Sequence, residues 1–257
     1  MQFNKLHFLI YPGWALSASD YKLWLQPYWD INPANINIIE RNYFNQLDNK
    51  QTNIIKTQDN QHIDNYLTLL ESNRNPLIVI AHSLGLHFVP AKIVEQSKLL
   101  VIISSFAKFY SNDLNEHKYE LKIIKRMKTQ LKNNPQLLLS EFRKNCGLPI
   151  VTDYQDLNPQ KINYNQLNND LEFLELVSLD LSALKVIPNV LIMHGRNDKI
   201  INVNKAWQLK TYFETNLKST TVKLLINIEA NHALPILQTQ FCLDKILQDY
   251  QERLSNL

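Results

Sequence analysis

The run Ile80-Ala81-His82-Ser83-Leu84-Gly85 sets a serine between two small residues, directly after an apolar stretch that begins at Pro76. A serine hydroxyl is a poor nucleophile at neutral pH. It needs an imidazole to take its proton and a carboxylate to orient that imidazole. Further along, Asp198 ends the run Met193-His194-Gly195-Arg196-Asn197-Asp198, and His232 lies in Ala230-Asn231-His232-Ala233-Leu234-Pro235. Ser83, Asp198 and His232 thus follow in the order nucleophile, acid, base, with separations of 115 and 34 residues. The chemistry such a set performs is acyl transfer through a serine ester. From its five-residue pattern alone, Ser83 reads equally well as the cap of a helix starting near Leu84. Asp180 is a rival acid, although it lacks the strand-and-glycine-turn context of Asp198. His82 is expected to face away from the hydroxyl, and His194 and His87 read as packing residues. His7, His62 and His117 precede or lie outside the required order.

A tetrahedral intermediate also needs hydrogen-bond donors aimed at its oxyanion. The backbone N–H of Leu84 is one candidate. The backbone N–H of Trp14, in Tyr11-Pro12-Gly13-Trp14-Ala15-Leu16, is the other.

These residues must be held by a scaffold, and the hydrophobic pattern says which. Nearly continuous apolar runs occur at His7–Gly13, Ile36–Glu40, Pro76–Ser83, Leu99–Ser105, Pro188–Gly195 and Val222–Glu229. Continuous rather than alternating hydrophobicity marks strands buried on both faces, hence a mostly parallel sheet. Helix candidates lie between them at Ser19–Trp29, His62–Ser72, Leu84–Glu95, Val203–Leu217 and Leu237–Leu254. The expected fold class is therefore α/β: a mostly parallel central sheet flanked by helices. The alternation breaks from about Ser111 to Leu181. This stretch reads as several helices, with Leu121, Ile124 and Leu131 on one face of the first and breaks at Pro135 and Gly147-Leu148-Pro149. Residues 111–181 are expected to form a helical lid on a core of residues 1–110 and 182–257. The Asn/Gln-rich stretch Asn158–Asn169 reads as a flexible connection. Only four glycines occur, and Gly13, Gly85 and Gly195 each fall at or just after a strand-like run.

The 257 residues suffice for one full core, and no apolar run is long enough for a membrane span. No signal-peptide pattern opens the chain, so a cytoplasmic location is expected. Cys146 and Cys242 have no metal-ligand spacing and read as reduced, partly buried thiols. A net charge of +3 does not indicate nucleic-acid binding. The charge is local: from Glu116 to Gly147 basic residues outnumber acidic ones by five. Neither a metal nor an organic cofactor is expected, and neither membrane association nor oligomerisation is indicated.

With the serine in a sharp strand-to-helix turn (the nucleophile elbow, Ala81–Gly85), Asp198 in a turn after a strand and His232 after the last strand, the chain resembles the α/β-hydrolases, some lipases of which also carry A-H-S-x-G. It resembles the pimeloyl-[acyl-carrier protein] methyl ester carboxylesterases of biotin synthesis. The shared points are Gly13-Trp14 with Leu16, the elbow, Ser104-Ser105-Phe106, Leu171-Glu172-Phe173-Leu174 with Leu179-Asp180-Leu181, and His232-Ala233-Leu234-Pro235 with Phe241-Cys242. The resemblance implies a serine carboxylesterase that frees the pimeloyl carboxylate. It implies an acyl pocket, for which Trp14, Phe106, Phe109 and Tyr110 are the candidates. It also implies a basic lid face for an acidic carrier protein. Lys118, Lys122 and Arg126, at four-residue spacing with Lys125 beside them, supply such a face, or else an ordinary solvated surface. A general short-chain esterase, lipase or thioesterase, and a non-catalytic binding protein of the same fold, are the alternatives.

Overall fold

The computed structural model describes residues 3–26, 31–44, 54–56, 64, 67, 68, 70, 71, 75–149, 161–180 and 189–255. The helix expected over His62–Ser72 lies largely outside them, as do the distal end of Ser19–Trp29 and the first residues of Asn158–Asn169.

Strands β1 (His7–Tyr11), β2 (Ile36–Glu40), β3 (Ile54–Lys56), β4 (Leu77–His82), β5 (Ser97–Ile103), β6 (Asn189–Gly195) and β7 (Thr221–Asn227) form one sheet. Its order is β3-β2-β1-β4-β5-β6-β7, and every pairing is parallel. The apolar runs became strands because side chains on both faces find a core. In β4, Ile78 and Ile80 enter one apolar cluster while Leu77, Val79 and Ala81 enter the other. Residues of β1, β5 and β6 alternate in the same way. Full burial of each such side chain contributes about 1.5–3 kcal/mol relative to exposure. Edge strand β7 is only half-buried. The short edge strand β3 has no counterpart among the expected runs, since three residues carry too little periodicity to read.

One face is covered by α1 (Ala91–Gln96) and α5 (Asn204–Asn216), through Ile93, Val94, Leu209 and Phe213. The other is covered by the 3₁₀ segment Ala18–Leu25, by α6 (Leu234–Leu237) and α7 (Thr239–Leu254), and by α2 (Leu114–Asn133), α3 (Pro135–Cys146) and α4 (Tyr164–Leu176). Two expected α-helices came out differently. Ala18–Leu25 is 3₁₀, and the chain after Ser83 is a 3₁₀ turn, Ser83–Phe88, that breaks at Pro90 before α1 begins.

The three helices between β5 and β6 start where side chains cap them. Asp113 accepts from Asn115 and Glu116, Asn134 from Leu137 beside Pro135, and Asn163 from Gln166. Gly147, at φ +86°, ends α3. The last of these caps corrects the flexible connection expected near Asn158–Asn169: from Tyr164 that stretch is helical. Ile124 and Leu131 are buried, but Leu121 is 41% exposed and so faces outward with the lysines.

Each of these helices is tied to the core by an ion pair. Lys205 of α5 meets Glu120 of α2 at 3.1 Å, and Arg143 of α3 meets Asp20 at 2.8 Å. Asp170 of α4 receives the Arg41 guanidinium, the Tyr43 hydroxyl and the Gln166 amide. Arg41 also lies over the Phe88 ring, 3.6 Å from its centroid. Asp170→Ala would leave a largely buried guanidinium without its carboxylate. It is expected to cost about 3–5 kcal/mol and to lower Tm on the order of 10 °C in thermal unfolding. A shift under 2 °C would show the pair to be dispensable. Among the described residues, no helix is long and apolar enough to cross a membrane. Cys146 and Cys242 are free and, beyond the partial burial expected, fully buried.

Candidate active site

Strand order reverses direction between β1 and β4, and a crevice opens there at the C-terminal ends of the strands. Ser83 follows β4 and the Gly13–Trp14 loop follows β1, so both lie at that crevice. Ser83 has φ +54°, a left-handed conformation that costs a non-glycine residue about 1–2 kcal/mol. This strained turn sets a serine side chain at the rim of a sheet. Its neighbours hold it there. The Ser105 hydroxyl donates to the Ser83 carbonyl at 2.6 Å. Gly85 permits the approach of β1: a Cβ there would stand 2.7 Å from the Pro12 carbonyl oxygen. Gly13 packs so closely on the elbow that a Cβ would lie 3.0 Å from that of Ser83. The proposed oxyanion loop therefore abuts the proposed nucleophile. Trp14 is fixed by its indole N–H, which donates to the Leu167 carbonyl at 3.0 Å. Because Ser83–Phe88 is a 3₁₀ turn rather than a helix, the N–H of Leu84 gains little from a macrodipole.

Asp198 sits in the turn after β6. Gly195 makes that turn possible, since a Cβ would come 2.5 Å from the Asn231 carbonyl oxygen. The same close approach brings the His232 loop against the acid. Asp198 Oδ1 accepts from the backbone N–H groups of Ile200 and Ile201, both at 2.8 Å. Its Oδ2 lies 2.8 Å from His232 Nδ1 and 3.3 Å from His194 Nε2. Burial by itself would raise the Asp198 carboxyl. The charge of His232 and the hydrogen bonds from His194 and His232 outweigh it, holding the group well below the usual carboxylate range. His232 thus pairs with Asp198, and Asp180 is not the partner of this histidine. His232 Nε2 is buried and makes no hydrogen bond among the described residues, to Ser83 or otherwise. A catalytic hydrogen bond that is open without ligand commonly closes only in the substrate complex.

Over Ser83 lies a cavity of about 640 Å³. Trp14, Leu84, Phe106 and Phe109 line it from the sheet, and Ile123, Met127, Leu138, Phe142, Leu171 and Leu174 from the helices above. The Trp14 and Phe142 rings meet edge to face at 4.8 Å. His87 Nε2 bonds the Phe106 carbonyl at 3.1 Å and so helps place that wall, and burial lowers the His87 pKa to about 4. Tyr110 does not line the cavity. Its ring packs on Phe109 and His117 instead, with its hydroxyl 3.5 Å from Glu175, because the chain turns into α2 at this point. Arg126 stands at the rim beside Glu141, at 3.6 Å, whereas Lys118, Lys122 and Lys125 are exposed and make no ion pair among the described residues. The wall residue Lys205, buried and bonded to the Phe109 carbonyl and Glu120, was not foreseen. No sequence signal marks a lysine whose partners lie about a hundred residues away. Among the described residues, no group of three His, Cys, Asp or Glu side chains could hold a metal ion.

No protein-family model matches the chain, and no curated protein does. Solved structures do. An esterase from Exiguobacterium antarcticum superposes with TM-score 0.66 at 10% identity, over 96% of this chain and 92% of its own. A bromoperoxidase from Bacillus anthracis gives 0.59 at 15% identity, over 96% and 91%. MenH from S. aureus gives 0.59 at 12%, over 97% and 94%. The fold is that of the α/β-hydrolases.

Proposed function

We propose that the protein is a serine carboxylesterase whose substrate is the methyl ester of a pimeloyl group carried on acyl-carrier protein. The observation that supports the chemistry best is Ser83 at a strained elbow, facing a cavity of mixed apolar and charged lining beside a buried Asp198–His232 pair. In this reading Ser83 Oγ attacks the ester carbonyl while His232 Nε2 takes its proton. The oxyanion is met by the N–H groups of Trp14 and Leu84. The C–O bond to the methoxy group breaks, and His232 returns the proton to release methanol. Water then attacks the acyl-enzyme with His232 again as base, and the serine leaves with the proton. Asp198 keeps the imidazole in the tautomer this needs and stabilises its cation.

The substrate rests on sequence resemblance, and two features of the site agree with it. The cavity wall offers an acyl chain Trp14, Phe106 and Phe109 on one side and Ile123, Met127, Leu138, Phe142, Leu171 and Leu174 on the other, with Glu116, Glu120 and Glu141 among them. Residues 111–181 are the lid in this reading, with Lys118, Lys122 and Lys125 on the exposed face of α2 and Arg126 at its cavity edge. Charge reversal at Lys122 and Lys125 is expected to lower kcat/KM for the carrier-bound ester about tenfold, chiefly through encounter, and to leave a free methyl ester unchanged. Equal rates on both substrates in the variant and the parent would remove the carrier protein and leave a general esterase. Hydrolysis of free esters with none of pimeloyl-carrier-protein methyl ester would remove the pimeloyl assignment.

A further inference from the structure

His82 is fully buried between the nucleophile and the base, and both of its ring nitrogens are used. Strand alternation turns it to the same face as Ile78 and Ile80, where the Ala18–Leu25 segment packs. Its Nε2 lies 3.0 Å from the backbone carbonyl of His232 and its Nδ1 2.6 Å from the Tyr21 hydroxyl. The chemistry of the partners sets the direction of both bonds. A carbonyl oxygen only accepts, so Nε2 carries the proton, and Nδ1 then accepts from Tyr21. Burial, with the neighbouring charge of His232, lowers the His82 pKa to about 3. The ring is therefore neutral at any working pH. It does not oppose the imidazolium that forms on His232, whose ring centroid is 5.0 Å away.

Among the polar bonds that hold the loop carrying His232, three reach its backbone at Ala230–Ala233 from three different elements. Asn197 N–H donates to the Ala230 carbonyl at 3.0 Å, which ties the loop to the acid's turn. Ala233 N–H donates to the Cys146 carbonyl at 3.0 Å, which ties it to α3. The third anchor is His82, and it is the one that comes from the strand bearing Ser83. The same 3₁₀ segment braces both ends of this bridge, since Trp24 Nε1 donates to the Pro235 carbonyl at 2.9 Å, three residues from Tyr21.

We infer that His82 is a positioning residue for the Ser83 reaction: its Nε2–H, oriented by the Tyr21 hydroxyl, sets the His232 backbone at a fixed distance from the nucleophile. The inference rests on the serine-esterase reading of the site. A base displaced by about 1 Å costs on the order of 100-fold in rate even when substrate binding is intact. The role therefore belongs to kcat rather than KM.

The test compares His82→Phe, which keeps a ring but loses the donor, with His82→Gln, whose amide can reach the same carbonyl. The readouts are hydrolysis of p-nitrophenyl acetate and the rate of labelling by a fluorophosphonate. His82→Phe is expected to lower kcat and the labelling rate about 10–100-fold with KM within twofold. His82→Gln is expected to recover activity to within about fivefold of the parent. Unchanged kcat in His82→Phe, or equal losses in both variants, would overturn the role. If His82→Phe does not fold, Tyr21→Phe carries the test. Removing that hydroxyl alone should lower kcat about 3–10-fold at constant KM, and an unchanged kcat would overturn the inference. Wild-type protein inert to both reagents would overturn the esterase reading and this inference together. An active parent with an equally active His82→Phe would sink the inference alone.

Discussion

Ser83→Ala is expected to lower kcat/KM for ester hydrolysis by at least about 10⁴-fold and to abolish fluorophosphonate labelling. The loss is that large because covalent catalysis ends, leaving only the cavity and the oxyanion donors to act on the ester. Stability should hardly change. Alanine keeps the β-carbon that makes φ +54° costly, and the Ser105 hydroxyl still bonds the carbonyl of residue 83. Ser83→Gly makes a sharper companion. It is just as inactive, but it relieves the left-handed strain and should raise unfolding stability by roughly 1 kcal/mol. A gain in stability with total loss of activity would be the signature of strain held at a functional serine. Activity within tenfold of the parent in Ser83→Ala would instead return Ser83 to a structural role and place the hydrolysis on another group.

Asp198→Asn should cost on the order of 10⁴-fold in kcat, although the side chain barely changes shape. The reason is that both carboxylate oxygens face donors. Oδ1 accepts from the N–H groups of Ile200 and Ile201, and Oδ2 meets His232 Nδ1 with His194 Nε2 nearby. An amide must aim its NH₂ at one of these pairs. Aimed at His232, it forces the proton onto Nε2, the nitrogen that must accept from serine. Aimed at the backbone, it leaves two buried N–H groups without an acceptor, at about 1–3 kcal/mol each. Steady-state kinetics with a thermal melt would separate the two outcomes: the first removes the base, and the second lowers stability and withdraws the charge that steadies the imidazolium. If Asp198→Asn kept more than a tenth of the parent's kcat, the His232–Asp198 bond would not be the one that orients the base.

The order Ser83, Asp198, His232 and the apolar runs before them were legible in the sequence because both are local. Each run of β-branched and aliphatic residues is long enough to declare a buried strand, and each candidate catalytic residue directly follows one. In a parallel sheet, that alone sends all three to the same edge. The glycines were legible for a related reason. With so few in the chain, Gly85 and Gly195 stand where a β-carbon would strike a neighbouring backbone. Short 3₁₀ turns were not legible, since Ser83–Phe88 and Ala18–Leu25 carry helix-like patterns and the hydrogen-bond spacing is chosen by packing.

Only the tertiary structure decided which polar groups meet. The Asp198–His232 bond, the capture of the His232 carbonyl by His82, and the Arg41–Asp170, Arg143–Asp20 and Lys205–Glu120 pairs join residues 34 to 150 positions apart. No local spacing encodes them. The same holds for Tyr110, which shares the aromatic run with Phe109 yet turns away from the cavity toward His117. The sequence by itself determined what could react and on which edge of the sheet. The fold determined what holds those groups in place, because a buried charge or imidazole is stable only where its partner is delivered from elsewhere in the chain.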